Sequence, residues 1–140
     1  MSNKALRILI ADEQHFHRMK VERLLNQLDY YRVAPVQSVE ELLTLVEYGS
    51  EPFDLVLINA ALAGGALGLF GFFLDNPQVH HAMIYNEPRT QLPSVQQKIQ
   101  VSLGALPDLA SIRRLMASVD PSADEYAQPW RSERYQKKTG

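Results

Sequence analysis

The 140-residue sequence predicts an α/β fold built on a doubly wound parallel sheet, on three observations. Short apolar and β-branched runs alternate with longer segments whose apolar residues recur at helical spacing. The strongest run, Leu55 to Ile58, carries no polar residue, as expected of a strand covered on both faces. Polar residues, Asp12 and Asn59, close two of these runs, where the strands of such a sheet open into functional loops. A chain of this length buries enough apolar surface for one core and not for two.

The elements follow in order. Leu6-Arg7-Ile8-Leu9-Ile10 is a buried strand that stops at Asp12-Glu13. From His15 to Leu28, Val21, Leu24, Leu25 and Leu28 share one helical face. Tyr30 to Val36 is aromatic and β-branched, and Pro35 near its end places this second strand on or near the sheet edge. Ser38-Val39-Glu40-Glu41 is a capping box, in which hydroxyl and carboxylate satisfy free amides at a helix start. Val39, Leu42, Leu43 and Val46 form that helix's buried stripe, and Gly49 to Pro52 break it.

Phe53 to Asn59 is the third strand, and Ala60 to Gly68 a loop of small residues. Leu69 to Leu74 then read as a helix ending at Asp75-Asn76, because the residue before Pro77 is biased out of the helical region. Five of these six residues are apolar and cannot all face inward, so a partly exposed aromatic patch at Phe72-Phe73 is expected. Val79 to Tyr85 and Ile99 to Leu103 are the fourth and fifth strands. The thirteen residues between Tyr85 and Ile99 include Pro88 and Pro93, so any helix there is short or irregular. Asp108 caps a last helix whose Leu109, Ile112, Leu115 and Met116 face inward. The domain spans 5–119, and 120–140 is a polar tail, mobile or loosely docked, with Trp130 and Tyr135 as anchors.

Composition excludes several function classes. The formal charge of −2 arises from nearly balanced acids and bases, which argues against nucleic acid or an anionic membrane as partner. No apolar run approaches the roughly 20 residues of a membrane span, and the start lacks a signal-peptide core, so a cytoplasmic location is the default expectation. Zero Cys removes thiol catalysis, disulfides and thiolate metal sites. His15, His17, His80 and His81 lack the i, i+4 spacing that aligns two metal ligands and read as surface or structural residues. The Ala63-Gly64-Gly65-Ala66-Leu67-Gly68 loop lacks the Lys and Ser/Thr of a phosphate-binding loop.

Five strand–helix repeats suggest a flavodoxin-like five-stranded parallel sheet in the order 2-1-3-4-5, with its switch point between strands one and three. Asp12, Glu13 and Asn59 stand there. Ile8-Leu9-Ile10-Ala11-Asp12-Glu13 looks like the acidic-pair strand of bacterial response-regulator receiver domains, and Phe53-Asp54-Leu55-Val56-Leu57-Ile58-Asn59 looks like their phosphoacceptor strand. The resemblance covers roughly residues 5–119.

In that family an acidic pair and an acceptor Asp hold Mg²⁺, and the acceptor attacks a phosphodonor. Asp12 and Glu13 match the pair, while Asn59 stands at the acceptor position. Tyr85 falls where the family has a switch Ser or Thr. Leu106, before Pro107, falls where it has a Lys, with Leu103 the other candidate. Ala63 falls where a proline commonly follows the acceptor.

The resemblance thus implies a degenerate phosphoacceptor pocket of Asp12, Glu13, Asn59, Tyr85 and Leu106, with no catalysis and no cofactor beyond a weak Mg²⁺ site at Asp12 and Glu13. It further implies a stand-alone signalling domain, followed by no output domain, that regulates by binding signalling proteins, with homodimerisation through the fourth helix, fifth strand and fifth helix. Two alternatives stay open: a phosphorelay receiver modified on another carboxylate, such as Asp54 or Asp75, and a small-ligand sensor using the vacated pocket beside Tyr85.

Overall fold

A computed structural model of the chain describes residues 5–63, 66–86, 98–102 and 106–121. β1 (Ile8–Ala11), β2 (Val33–Val36), β3 (Leu55–Asn59), β4 (Ala82–Tyr85) and β5 (Ile99–Val101) pair in parallel in the order β2-β1-β3-β4-β5. The fold is therefore the doubly wound, flavodoxin-like sheet the repeats predicted. α1 (His15–Gln27), α2 (Val39–Tyr48), α3 (Ala66–Asp75) and α4 (Leu109–Val119) join and cover the strands.

The side-chain period of two along each strand divides the core into two layers. Leu9, Ala11, Val56, Ile58, Ala82 and Ile84 pack with Leu42 and Val46 of α2 and with Phe70 and Phe73 of α3. Ile8, Ile10, Leu55, Leu57, Met83 and Tyr85 pack with Val21 and Leu25 of α1 and with Ile112, Leu115 and Met116 of α4. Because helices lie on both faces, every residue of β1, β3 and β4 is buried.

Both expected caps form. The Glu41 amide donates to Ser38 Oγ at 3.1 Å. The Glu41 carboxylate accepts from the Gln37 amide at 2.8 Å, one residue earlier than a standard capping box. Asp108 Oδ1 accepts from the Ser111 amide at 2.8 Å.

Edge placement of β2 explains Pro35. The Arg32 and Val36 carbonyls accept from the Ile8 and Asp12 amides, so even-numbered residues bond toward β1 and Pro35 faces outward, where no amide proton is needed.

The structure departs from expectation at several element ends. The second strand starts at Val33 instead of Tyr30. Asp29, at φ 72, turns the chain out of α1, and Tyr30 is buried with its hydroxyl donating to Asp120 Oδ2 at 2.6 Å. Val79 makes only an isolated bridge with Phe53 before β4 begins at Ala82. Within the expected Ala60 to Gly68 loop, Ala60–Ala63 form a 3-10 turn and α3 starts at Ala66. On α3, Phe73 is buried, Phe72 half-buried and Leu74 45% exposed, so the apolar run spills onto the surface at Leu74, and the aromatic patch expected at Phe72-Phe73 is reduced to half-buried Phe72. The segment expected to hold a short fourth crossover helix, the alternative site residue Leu103, and Trp130 and Tyr135 lie outside the described residues.

Candidate functional site

Asp12 continues the Ile8, Ile10 series one step past β1, and Asn59 and Tyr85 end the corresponding series of β3 and β4. Asn59 and Tyr85 are register partners, and the β1–β3 register that pairs Ala11 with Ile58 brings Asp12 level with Asn59. The three side chains therefore converge at the carboxyl ends of adjacent strands, on the α1/α4 face, at the topological switch point.

Asp12 Oδ2 accepts from the Tyr85 hydroxyl at 2.6 Å, from Asn59 Nδ2 at 3.1 Å and lies 3.2 Å from His17 Nδ1. Its Oδ1 accepts from the Gln14 amide at 2.9 Å, an Asx turn that leads the chain from β1 into α1. Asn59 mirrors this: its Oδ1 accepts from the Ala61 amide at 2.9 Å, starting the 3-10 turn, and from Asn86 Nδ2 at 3.1 Å. Asn59 must present its amino group to Asp12, since a carbonyl oxygen there would face a carboxylate. Asn86 adopts φ 61, a left-handed conformation that Asn tolerates better than most residues.

Asp12 and Asn59 are buried, at 1% and 6% exposure, and Tyr85 is fully buried. Burial works to raise the Asp12 carboxyl, but hydrogen bonds from Tyr85, Gln14 and Asn59 and the charge of His17 outweigh it and hold the group below its ordinary range. Burial, together with the hydrogen bond to Asp12 and that residue's charge, pushes the Tyr85 phenol far above its ordinary value. Tyr85 is thus a neutral donor to an anionic Asp12.

Above this network lies a cavity of about 180 Å³, lined by Asp12, Glu13, His17, Asn59, Leu62 and Asn86 among others. Glu13 is exposed at its rim. Among the described residues no group of three His, Asp or Glu side chains is arranged to hold a metal ion.

Leu106 requires a correction, because the structure places it elsewhere. It is half-buried against the α1/α4 layer and lines a separate groove with Lys20 and Arg23. Sequence reasoning missed His17 and Asn86. His17 follows Asp12 by five residues, across the Asx turn and into the first turn of α1, and its place beside the acidic pair was a usable signal. Asn86 had none beyond its position after β4.

The other carboxylates considered as acceptors lie away from this cluster. Asp54 precedes β3, at the opposite end of the sheet from Asn59, about 16 Å away at 3.3 Å per residue. There its Oδ2 accepts from the Arg7 amide at 2.8 Å and its Oδ1 lies 3.4 Å from His80 Nδ1. Asp75 ends α3 on the surface.

No protein-family model matches the chain, and no curated protein does. Solved structures do share its fold. A CheY-like response regulator receiver domain from Methylobacillus flagellatus superimposes with a TM-score of 0.62 at 18% identity, over 81% of this chain and 98% of that one. A receiver domain from Methanospirillum hungatei gives 0.60 at 14% identity, over 85% and 97%. One from Bacillus halodurans gives 0.54 at 17% identity, over 89% and 97%. At such identities the likeness establishes the receiver fold alone.

Proposed function

We propose that this chain is a receiver-like signalling domain of a two-component type of pathway, one that regulates by protein–protein interaction without aspartyl phosphorylation. The observation that carries this reading is Asn59 at the carboxyl end of β3, a neutral amide whose Nδ2 donates to Asp12 at 3.1 Å. An amide lacks the anionic oxygen that attacks a phosphodonor, and it removes one negative charge from any metal site.

The donor set does not fit Mg²⁺, which requires near-octahedral oxygen ligation. Asp12 Oδ2 already faces Tyr85, Asn59 and His17, so an entering cation would have to strip these partners away with only exposed Glu13 to help. A weak Mg²⁺ interaction at Asp12 and Glu13 is the most this arrangement supports. Tyr85 also turns its hydroxyl inward onto Asp12, which favours a permanently closed network over one that answers a phosphoryl group. Placement of Asp54 and Asp75 outside the pocket weighs against a substitute acceptor.

The partners under this reading are signalling proteins in the cytoplasm. No helix among the described residues is long and apolar enough to cross a membrane.

Intact-mass spectrometry after incubation with acetyl phosphate and Mg²⁺ tests the proposal, with Asn59→Asp run alongside. The native chain is expected to keep its mass. A phosphoryl group gained by the native chain on any carboxylate would sink the reading, and peptide mapping would then identify the true acceptor.

A further inference from the structure

The groove that holds Leu106 has a cavity of about 440 Å³ between the outer face of α1 and the start of α4. Leu24, Leu106, Pro107 and Leu109 form its apolar floor, Lys20 and Arg23 stand exposed along its rim, and the Asp108 carboxylate, the one acid in the lining, is taken up by Ser111 at the start of α4. Among the described residues neither cation is in an ion pair; Lys20 only rests over the Phe16 ring at 5.6 Å. An apolar trough edged by two unpaired cations suits a ligand that carries acidic groups beside large apolar ones.

The chain supplies such a segment itself. After α4 the sequence reads Asp124-Glu125-Tyr126-Ala127-Gln128-Pro129-Trp130, two carboxylates followed by two aromatic side chains. We propose that this segment docks in the α1/α4 groove, with Asp124 and Glu125 meeting Lys20 and Arg23 and with Tyr126 and Trp130 covering the apolar floor.

Reach permits it. α4 is eleven residues long, so its far end lies about 16 Å from the groove at 1.5 Å per residue. The ten steps from Asp120 to Trp130 span up to about 33 Å when extended, and the four and five steps to Asp124 and Glu125 up to about 13 and 17 Å, a distance that the long side chains of Lys20 and Arg23 close. Tethering places the segment at millimolar effective concentration, so even a weak contact is well populated. Docking would cover the Lys20–Arg23 face of α1 until a competing partner displaced the segment. This inference stands whether or not Asn59 blocks phosphorylation.

Trp130 is the only tryptophan, so its fluorescence in the full chain reports on docking directly. At low salt, emission is expected to be shifted to the blue of a synthetic peptide of residues 121–140, with acrylamide quenching reduced several-fold. The Asp124→Lys, Glu125→Lys variant, which leaves the described fold untouched, should return both readings to the peptide values. The Lys20→Glu, Arg23→Glu variant should do the same with an unchanged far-ultraviolet circular dichroism spectrum, and combining the two charge reversals should restore shielding. Native readings equal to those of the peptide would overturn the proposal. So would shielding that survives the tail variant, which would place Trp130 elsewhere, or shielding lost on dilution, which would assign the contact to a second copy.

Discussion

Tyr85, with Gln14, Asn59 and His17, holds Asp12 in its charged form against the effect of burial. The Tyr85 hydroxyl is the shortest contact on Asp12 Oδ2, at 2.6 Å, and replacing it by hydrogen would leave a buried carboxylate with one fewer donor. A hydrogen bond to a charged group contributes about 1.5–3 kcal/mol, so Tyr85→Phe is expected to destabilise the protein by roughly that amount at pH 7 in urea titrations. The pH dependence has opposite signs for the two partners. Asp12 is held below its ordinary 3.8, so its contribution is present above about pH 4 and is lost as pH falls through the lowered value. Tyr85 is raised above its ordinary 10.0, so its contribution is present below that pH and is lost as pH climbs beyond it. Above pH 10 the native protein should therefore lose stability relative to Tyr85→Phe by about 1.4 kcal/mol per pH unit. Parallel pH curves for the two proteins would show that the phenol does not feel this environment.

Among the elements, the helices start by different means, and the differences are measurable. α2 and α4 open on Ser38 and Asp108, whose side chains accept amide protons of the first turn. α1 opens on Gln14, which makes no such bond; the Gln14 amide is instead taken by Asp12, so the buried pocket carboxylate also begins the helix. Ser38→Ala is expected to cost about 1 kcal/mol in urea unfolding, while Gln14→Ala should be close to neutral because no cap is lost. No loss in Ser38→Ala would mean that the Ser38 bond adds nothing to stability, and a loss in Gln14→Ala would mean that Gln14 contributes more than its backbone amide. The capping pattern at Ser38 was legible in the sequence because its partners are three residues apart. The true start of the second strand was not, since Tyr30 has a strand former's chemistry but is held by Asp120, ninety residues away.

At the scale of the whole molecule, the sheet should resist opening unevenly. β3 lies in the middle of the order and is buried throughout, whereas β2 is an edge strand with only Val36 buried. Amide hydrogen exchange is expected to be slowest in Leu55 to Ile58, at the rate of global unfolding, and orders of magnitude faster for the outward-facing amide of Val33. Comparable protection in both strands would contradict this layering.

Alternating apolar runs and helical stripes were sufficient to predict the sheet, its order and the convergence of Asp12 with Asn59, because strand period and right-handed crossovers leave few topologies open. Those are local patterns combined with a chirality rule, and they do not depend on knowing which side chains meet. Tertiary structure alone decided that Tyr85 points at Asp12, that His17 and Asn86 complete the ring around it, and that Leu106 belongs to a different groove. Each of these depends on how a loop turns after its strand ends, and a loop's direction is set by the packing it meets, not by a repeating pattern in its residues.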